Sequence, residues 1–543
     1  MSSADYDRDE KRKESIEKET ETDGAVHVSA SEVDTGAALV YGEHGALDAA
    51  EALRVRKKID YHILPLMCNK TTLGSSAILG IRPATHLTTN QCIIRLGTIF
   101  YLSYLAFEFP QNLALQRFPV AKWMSINIFV WAVALCSHAA CKNFGGLFAA
   151  RLVLGMCEGS ITAGFMIVSS MFYTRTEQTL RVGYWCSSLP HFILLSLIDS
   201  FCFYSPSPHE RHRRIKAQII TGFVSFGTLH IKSSNFEPWQ WLMIITGILT
   251  LITSLAFWFF FPDSPTNAWF LTPEERAVAV MRLKVNQTGV ENKHFKKEQM
   301  MEALLDPKTW LFALFSALDN VPNSLTNQRQ IIVSSFGFTT FQTTLLGCVD
   351  GIVEIVTIWT GVIIAARTDS RAWVAFIYFI PNILGTILVN VLPWSDKVGL
   401  LFSVWITGVG TTGFVLSLSW VSSVTAGHTK RVTTNAIMLG AYCVGNAAGP
   451  FMWQAQYKPR NHVPWTVIGI CYACCMLLLV VIRWMLVAEN KRRDAEPLSE
   501  DPYDEVYVER PASDGSGKME KVKVDKEFLD LTDRQNRDFR YVY

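Results

Sequence analysis

An apolar run from Ala149 to Tyr173, AARLVLGMCEGSITAGFMIVSSMFY, is long enough to cross a bilayer, yet it carries Arg151 and Glu158. A span needs about 20 mostly apolar residues, and an ion at its centre costs at least about 2.5 kcal/mol unless it pairs or faces water. The two charges are separated by two helical turns, so they share one face, roughly 10 Å apart along the axis. Gly155 and Gly159 fall on or near that face and leave room for a second helix or a ligand. Such a stripe fits a polar passage through a helix bundle, as a solute carrier requires. The alternative is an ion pair that only locks neighbouring helices together.

The remainder of the chain decides what kind of body surrounds this helix. Of 543 residues, 49% are hydrophobic and 18% charged, and the charges gather at both ends and in the middle. This pattern describes a polytopic membrane protein rather than a soluble enzyme, and no nucleophile, metal cluster or phosphate loop suggests catalysis. A net charge of +2 argues against a nucleic-acid partner. The 12 cysteines are scattered, mostly in apolar runs, and read as packing residues. Cys471 and Cys474 have the CxxC spacing but no His or second pair nearby, so no metal and no cofactor is expected. The N-terminus shows no cleavable signal pattern, so an internal helix is expected to direct insertion.

Hydropathy and charge divide the chain as follows. Residues 1–55 read as a disordered cytoplasmic tail and 56–261 as an N-terminal six-helix bundle. Its clear spans are near 93–116, 123–141, 146–172 and 239–261. Residues 262–308 form a cytoplasmic central loop with a short helix from Pro273 to Lys284, and 309–488 a second six-helix bundle. The second bundle's spans are near 309–333, 345–366, 372–393, 398–421, 434–455 and 463–487, and 489–543 is a cytoplasmic tail. Two places look damaged. The first apolar element stops at Asn69 and Lys70, and an aberrant block at 187–216, with Asp199 and the basic Arg211, Arg213, Arg214 and Lys216, interrupts the fifth span. Lysine and arginine crowd the loops that would be inside, among them Arg175, Arg276, Lys296, Arg371, Lys430 and Arg492, which predicts cytoplasmic termini.

Several stretches resemble the fungal allantoate permease group of the major facilitator superfamily, within its anion:cation symporter branch. They include DYHILPLMC, FEFPQNLALQRFPVAKW, RLVLGMCEGSITAGF, FEPWQWLMIITG, LFALFSALDNVPNSLTNQRQI and AGHTKRVTTNAIMLGAYCVGNAAGPFMWQ, and together with KTTLGSSAILGI they cover most of residues 57–490. The resemblance implies an all-α fold of about twelve transmembrane helices in two six-helix halves, alternating access, and uptake of small organic anions, usually with protons. It also implies an Arg and a Glu in the fourth helix that recognise the anion and couple the proton, matching Arg151 and Glu158. Lys70 matches the group's basic position in helix 1, although its acidic neighbour is missing here. Helix 1 is thus shortened, and helix 5 is disrupted by about thirty extra residues.

The residues themselves support further assignments. Glu158, held where hydrocarbon disfavours charge, suits proton coupling. Arg151 offers a fork of donors to a substrate carboxylate, with Lys70 as a second positive charge. Around Pro322, the stretch with Asp319, Asn320, Asn323, Asn327 and Arg329 reads as a discontinuous cavity-lining helix or, alternatively, a kinked one whose amides bond to neighbours. Asn320, Asn323 and Asn327 are then substrate-binding candidates. Asp350 and Glu354 share a face, either lining the outer vestibule or holding protons, or alternatively pairing with Arg329. Asn446 is a candidate ligand contact, whereas Gly440, Gly445 and Gly449 favour close helix crossing. Glu108 and Arg117 are gate or charge-network candidates. The whole reads as a monomeric plasma-membrane importer of a small organic anion with a proton, from the allantoate, ureidosuccinate, nicotinate and vitamin range. The competing readings are a transport-inactive splice or gene-model variant and a non-transporting nutrient sensor.

Overall fold

The computed structural model describes residues 26–27, 48–63, 96–187, 236–286, 294–496, 506–511, 519–524 and 529–543. Lys70 and the interrupting block beyond Ser187 lie outside these residues.

The first described helix, α1 (Ala49–Ile63), begins inside the stretch expected to be a free tail. It buries Val55, Ile59 and Ile63, one turn apart, and its polar side reaches the central segment through Lys58 and Glu275, 2.6 Å apart. The first half continues with α2 (Leu96–Arg117), α3 (Val120–His138), α4 (Phe144–Phe172), α5 (Arg175–Ser187) and α6 (Pro238–Phe260). Starts are fixed by caps: Asn143 accepts from the Gly146 N–H at 2.9 Å, and Glu237 and Gln240 form a capping box ahead of Pro238. The central segment holds α7 (Pro273–Leu283), opened by a Thr272–Glu275 capping box where sequence placed it, and α8 (Lys297–Leu305).

The second half comprises α9 (Pro307–Asn320), α10 (Leu325–Ser335), α11 (Thr340–Thr368), α12 (Arg371–Val391), α13 (Lys397–Ile406), α14 (Thr411–Ser423), α15 (His428–Ala448) and α16 (His462–Ala495). A 3-10 turn at Pro322–Ser324 separates α9 from α10, so the seventh span is broken at its proline, which has no N–H to give the ladder. A second 3-10 turn, Thr407–Gly410, divides the span expected over 398–421.

Within the halves α2 and α3 pack on α4, α6 on α3, α9 on α15 and α12 on α16. Two seams join them, α2 against α15 and α5 against α11. Among the described residues, seven helical stretches are long and apolar enough to cross a membrane, in α3, α4, α6, α11, α12, α13–α14 and α16. The others fall short for a physical reason. Helices α2 and α15 turn Glu108, Gln111, Asn112, Asn435 and Asn446 inward, which lowers their hydropathy without taking them out of the bundle.

The terminal regions carry described structure as well. Short strands β1 (Val26–His27), β2 (Val506–Pro511) and β3 (Met519–Val524) form one sheet with β2 in the middle, parallel to β1 and antiparallel to β3. Residues 529–543 return to the bundle, where Thr532, Asp533 and Phe539 are fully buried.

Candidate functional site

Helix α4 is enclosed more completely than any other candidate span. Arg151 is 8% and Glu158 3% exposed, and since a lipid-facing side chain would count as exposed, neither ion is turned toward hydrocarbon. The glycines explain how α2 comes so close. A Cβ on Gly155 would collide with the Phe100 carbonyl and the Ser103 hydroxyl, so only glycine allows this crossing. One turn on, a Cβ on Gly159 would stand 3.1 Å from Glu108 Oε2, so the Glu108 carboxylate lies against α4 beside Glu158.

Glu108 is 2% exposed, and its Oε1 accepts from Asn112 Nδ2 at 2.6 Å. Around it runs a polar layer that sequence reasoning missed. Gln111 Nε2 donates to Asn127 Oδ1 at 2.9 Å and to the Met156 carbonyl at 3.0 Å, while its Oε1 accepts from Trp123 Nε1 at 2.7 Å. These amides tie α2, α3 and α4 into one unit. The signal was present in FEFPQNLALQ, where Gln and Asn follow the proline within an otherwise apolar helix.

In the second half the amides satisfy one another. Asn446 Nδ2 donates to Asn320 Oδ1 at 3.2 Å and to the Tyr442 carbonyl at 2.9 Å, and its Oδ1 accepts from Asn323 Nδ2 at 2.6 Å. Asn320 Nδ2 donates to the Ser316 carbonyl at 2.8 Å. In this conformation the hydrogen bonds of Asn320, Asn323 and Asn446 join α15 to the broken helix, as in the arrangement where kink-side amides bond to a neighbour. Asn327 lies in α10. Gly445 and Gly449 face the Ala317 and Val321 carbonyls so closely that a Cβ would overlap them, as expected for a crossing glycine.

Of the two readings for Asp350, pairing holds: Arg329 Nη1 is 3.2 Å from its Oδ1, and both side chains are largely buried. Glu354 follows one turn later, half-buried. Asp319 is buried in α9 near Tyr472 and Cys475 of α16. Arg117 is exposed at the end of α2, and the contact across the halves there is made by its neighbour, Gln116 Nε2 to Thr429 Oγ1 at 3.2 Å.

That contact belongs to a closed seam at the end bearing the central segment. Arg431 Nη1 of α15 donates to Ser170 Oγ of α4 at 3.1 Å. Arg371 of α12 donates to Thr179 Oγ1 and to the Arg175 carbonyl, both at 3.0 Å. In the sequence Arg371 reads only as a marker of membrane topology. The side chains of Arg371 and Arg431 thus both reach across to a carbonyl or hydroxyl of the other half.

Two helical halves, buried ions on the inward side of α4 and a seam of polar contacts at one end define the class: a multi-pass secondary transporter, not an enzyme. The chain belongs to the Major Facilitator Superfamily, whose sequence profile matches residues 63–450. It is 31% identical over 501 residues to the thiamine pathway transporter of Saccharomyces cerevisiae, covering 90% of this chain and 86% of that one. It is 28% identical over 514 residues to the allantoate permease of the same yeast, covering 90% and 86%. Among solved structures, the proton:xylose symporter XylE bound to 6-bromo-6-deoxy-D-glucose shares the fold at a TM-score of 0.57 and 11% identity, covering 79% of this chain and 95% of that one.

Proposed function

We propose that this protein imports a small organic anion together with a proton, by alternating access across the plasma membrane with both termini in the cytoplasm. The observation that carries the reading is the burial of Arg151 and Glu158 inside the bundle on one face of α4. A guanidinium there attracts a carboxylate and holds it through paired donors, and a nearby carboxylate that can accept a proton links the anion's passage to a second charge. Glu108, beside Glu158, extends the acidic surface within the first half. The relatives named for allantoate and the thiamine pathway favour a small, polar, charged solute over a lipid or a peptide. The lysine and arginine bias favours the central-segment face as the cytoplasmic one.

The cycle starts with protonation of Glu158 from outside and capture of the anion at Arg151. The halves then rock, the seam at Arg371 and Arg431 opens, and anion and proton leave inside. The test is uptake of labelled allantoate, ureidosuccinate and nicotinate by vesicles under an imposed proton gradient. Accumulation should need the gradient and disappear in Arg151→Ala and Glu158→Gln. Gradient-driven uptake that both variants retain would overturn the site assignment.

A further inference from the structure

The end of the chain sits on the seam that has to open. Asp533 Oδ2 is 2.7 Å from Lys308 Nζ and its Oδ1 2.8 Å from Lys430 Nζ, so the tail is fastened to α9 and α15 by an ion cluster with almost no exposed surface. Nearby, Asp530 Oδ1 accepts from the His428 N–H at 2.7 Å, and Trp420 Nε1 donates to the Val542 carbonyl at 2.8 Å. All of these anchors are in the second half.

Toward the first half the tail makes a different and weaker kind of contact. Arg175 of α5 donates to the Arg540 carbonyl at 3.2 Å, and its guanidinium lies 4.1 Å from the centre of the buried Phe539 ring. The terminal Tyr543 carbonyl accepts from the Arg371 N–H at 2.8 Å, and it is the Arg371 side chain that reaches α5. One shared hydrogen bond and one cation–π contact yield more readily than a buried double ion pair, so separation of the halves at this end must tear the tail from α5 first.

We propose that residues 529–543 are a latch, permanently anchored on the second half, that grips α5 at Arg175 when this face is closed and releases it each time the face opens. The strength of that grip sets the share of molecules closed at this end. The inference rests on the alternating-access reading, but its test needs no substrate, so a failure to find the transported anion leaves it standing.

The experiment is hydrogen–deuterium exchange on the full chain in lipid nanodiscs. One double variant, Arg175→Cys with Arg540→Cys, allows the tail to be bridged to α5 by a short, reducible bifunctional thiol reagent. The control, Asp494→Cys with Arg540→Cys, bridges the same tail residue to α16, whose Asp494 lies 2.8 Å from Arg540. The α5 bridge should slow exchange at residues 170–181 and 428–434 by about fivefold or more, the factor worth one lost cation–π opening, and reductant should restore it. The α16 bridge should leave both segments unchanged. Equal effects from the two bridges, or no effect from the α5 bridge, would overturn the latch. Phe539→Ala, unbridged, should speed exchange in both segments, and a change confined to 529–543 would also overturn it.

Discussion

Lys430 and Asp533 meet 2.8 Å apart with no exposed surface on either side chain, although one opens α15 and the other lies near the end of the chain. Burial works against the Asp533 charge, but Lys308 and Lys430 together outweigh it and hold the carboxyl well below the usual carboxylate range. Replacing it by Ala leaves Lys308 and Lys430 to share Asp306, with Glu302 beside Lys430, and breaking a buried pair costs up to about 3–5 kcal/mol. We expect Asp533→Ala to lower the thermal unfolding temperature and to make the tail sensitive to protease, both measured in detergent. Lys308→Met together with Asp533→Leu removes both signs and should recover much of the loss.

The same group sets a pH dependence. Because its folded pKa is depressed, the unfolded chain binds the extra proton first, and stability rises with pH through that interval. The Asp533 contribution is therefore complete above the ordinary Asp value of about 4 and lost progressively as pH falls below it. Tail protection in limited proteolysis should be unchanged between pH 7 and pH 5. In Asp533→Asn it should be weak at both.

The amide cluster separates a structural role from a ligand role. Asn446→Ala removes the partner of both Asn320 Oδ1 and Asn323 Nδ2. Orphaning such groups costs about 1–3 kcal/mol. We expect a lower unfolding temperature without substrate present, and a change in uptake KM alone, with stability intact, would show that the cluster opens toward the ligand.

How much of this could be seen in the sequence depends on the kind of force involved. Apolar length fixed α3, α4, α6, α12 and α16 closely, and Pro322 announced the break after Asn320, because both rest on rules that act within one segment. Arg151 and Glu158 were legible for the same reason, as ions that must be hidden. Partners across the fold were not. Asn446 reads as a ligand candidate, yet two of its bonds go to residues more than a hundred positions away. The C-terminal stretch LDLTDRQNRDFRYVY falls within the 489–543 segment that the sequence marks only as a cytoplasmic tail. Its three aromatics, Phe539, Tyr541 and Tyr543, were the available sign that it packs, since a solvated tail has little use for them.

Glycine positions offer a test of helix crossing free of any assumption about substrate. At Gly445 the obstructing atom is the Ala317 carbonyl, part of the α9 backbone, and no side chain can swing aside. Gly445→Ala should cost about 1–3 kcal/mol as an overpacked contact and reduce folded yield. At Gly97 no described residue lies within 4 Å of the same added atom. Gly97→Ala should be neutral or stabilise by up to about 1 kcal/mol, because alanine suits a helix better. Comparable unfolding temperatures for the two variants would mean that α9 and α15 do not cross as closely as described.

The Arg329–Asp350 pair joins α10 to α11 below the break at Pro322, and its removal tells whether that join is rigid or part of the moving machinery. If it only braces the two helices, Arg329→Met and Asp350→Leu should each destabilise, while the double variant should be less harmed than the sum, with a coupling of about 0.5–3 kcal/mol in a cycle of unfolding free energies. Uptake by the double variant should then fall no more than its folded amount does. If the ion pair instead has to break as the second half changes shape, the double variant should fold well and transport at an altered rate. The largely buried setting of both charges and the contact of Arg329 with α13–α14 near Gly408 favour the brace. With both ions largely buried and beside each other, parting them carries a desolvation cost, and we therefore expect the first outcome.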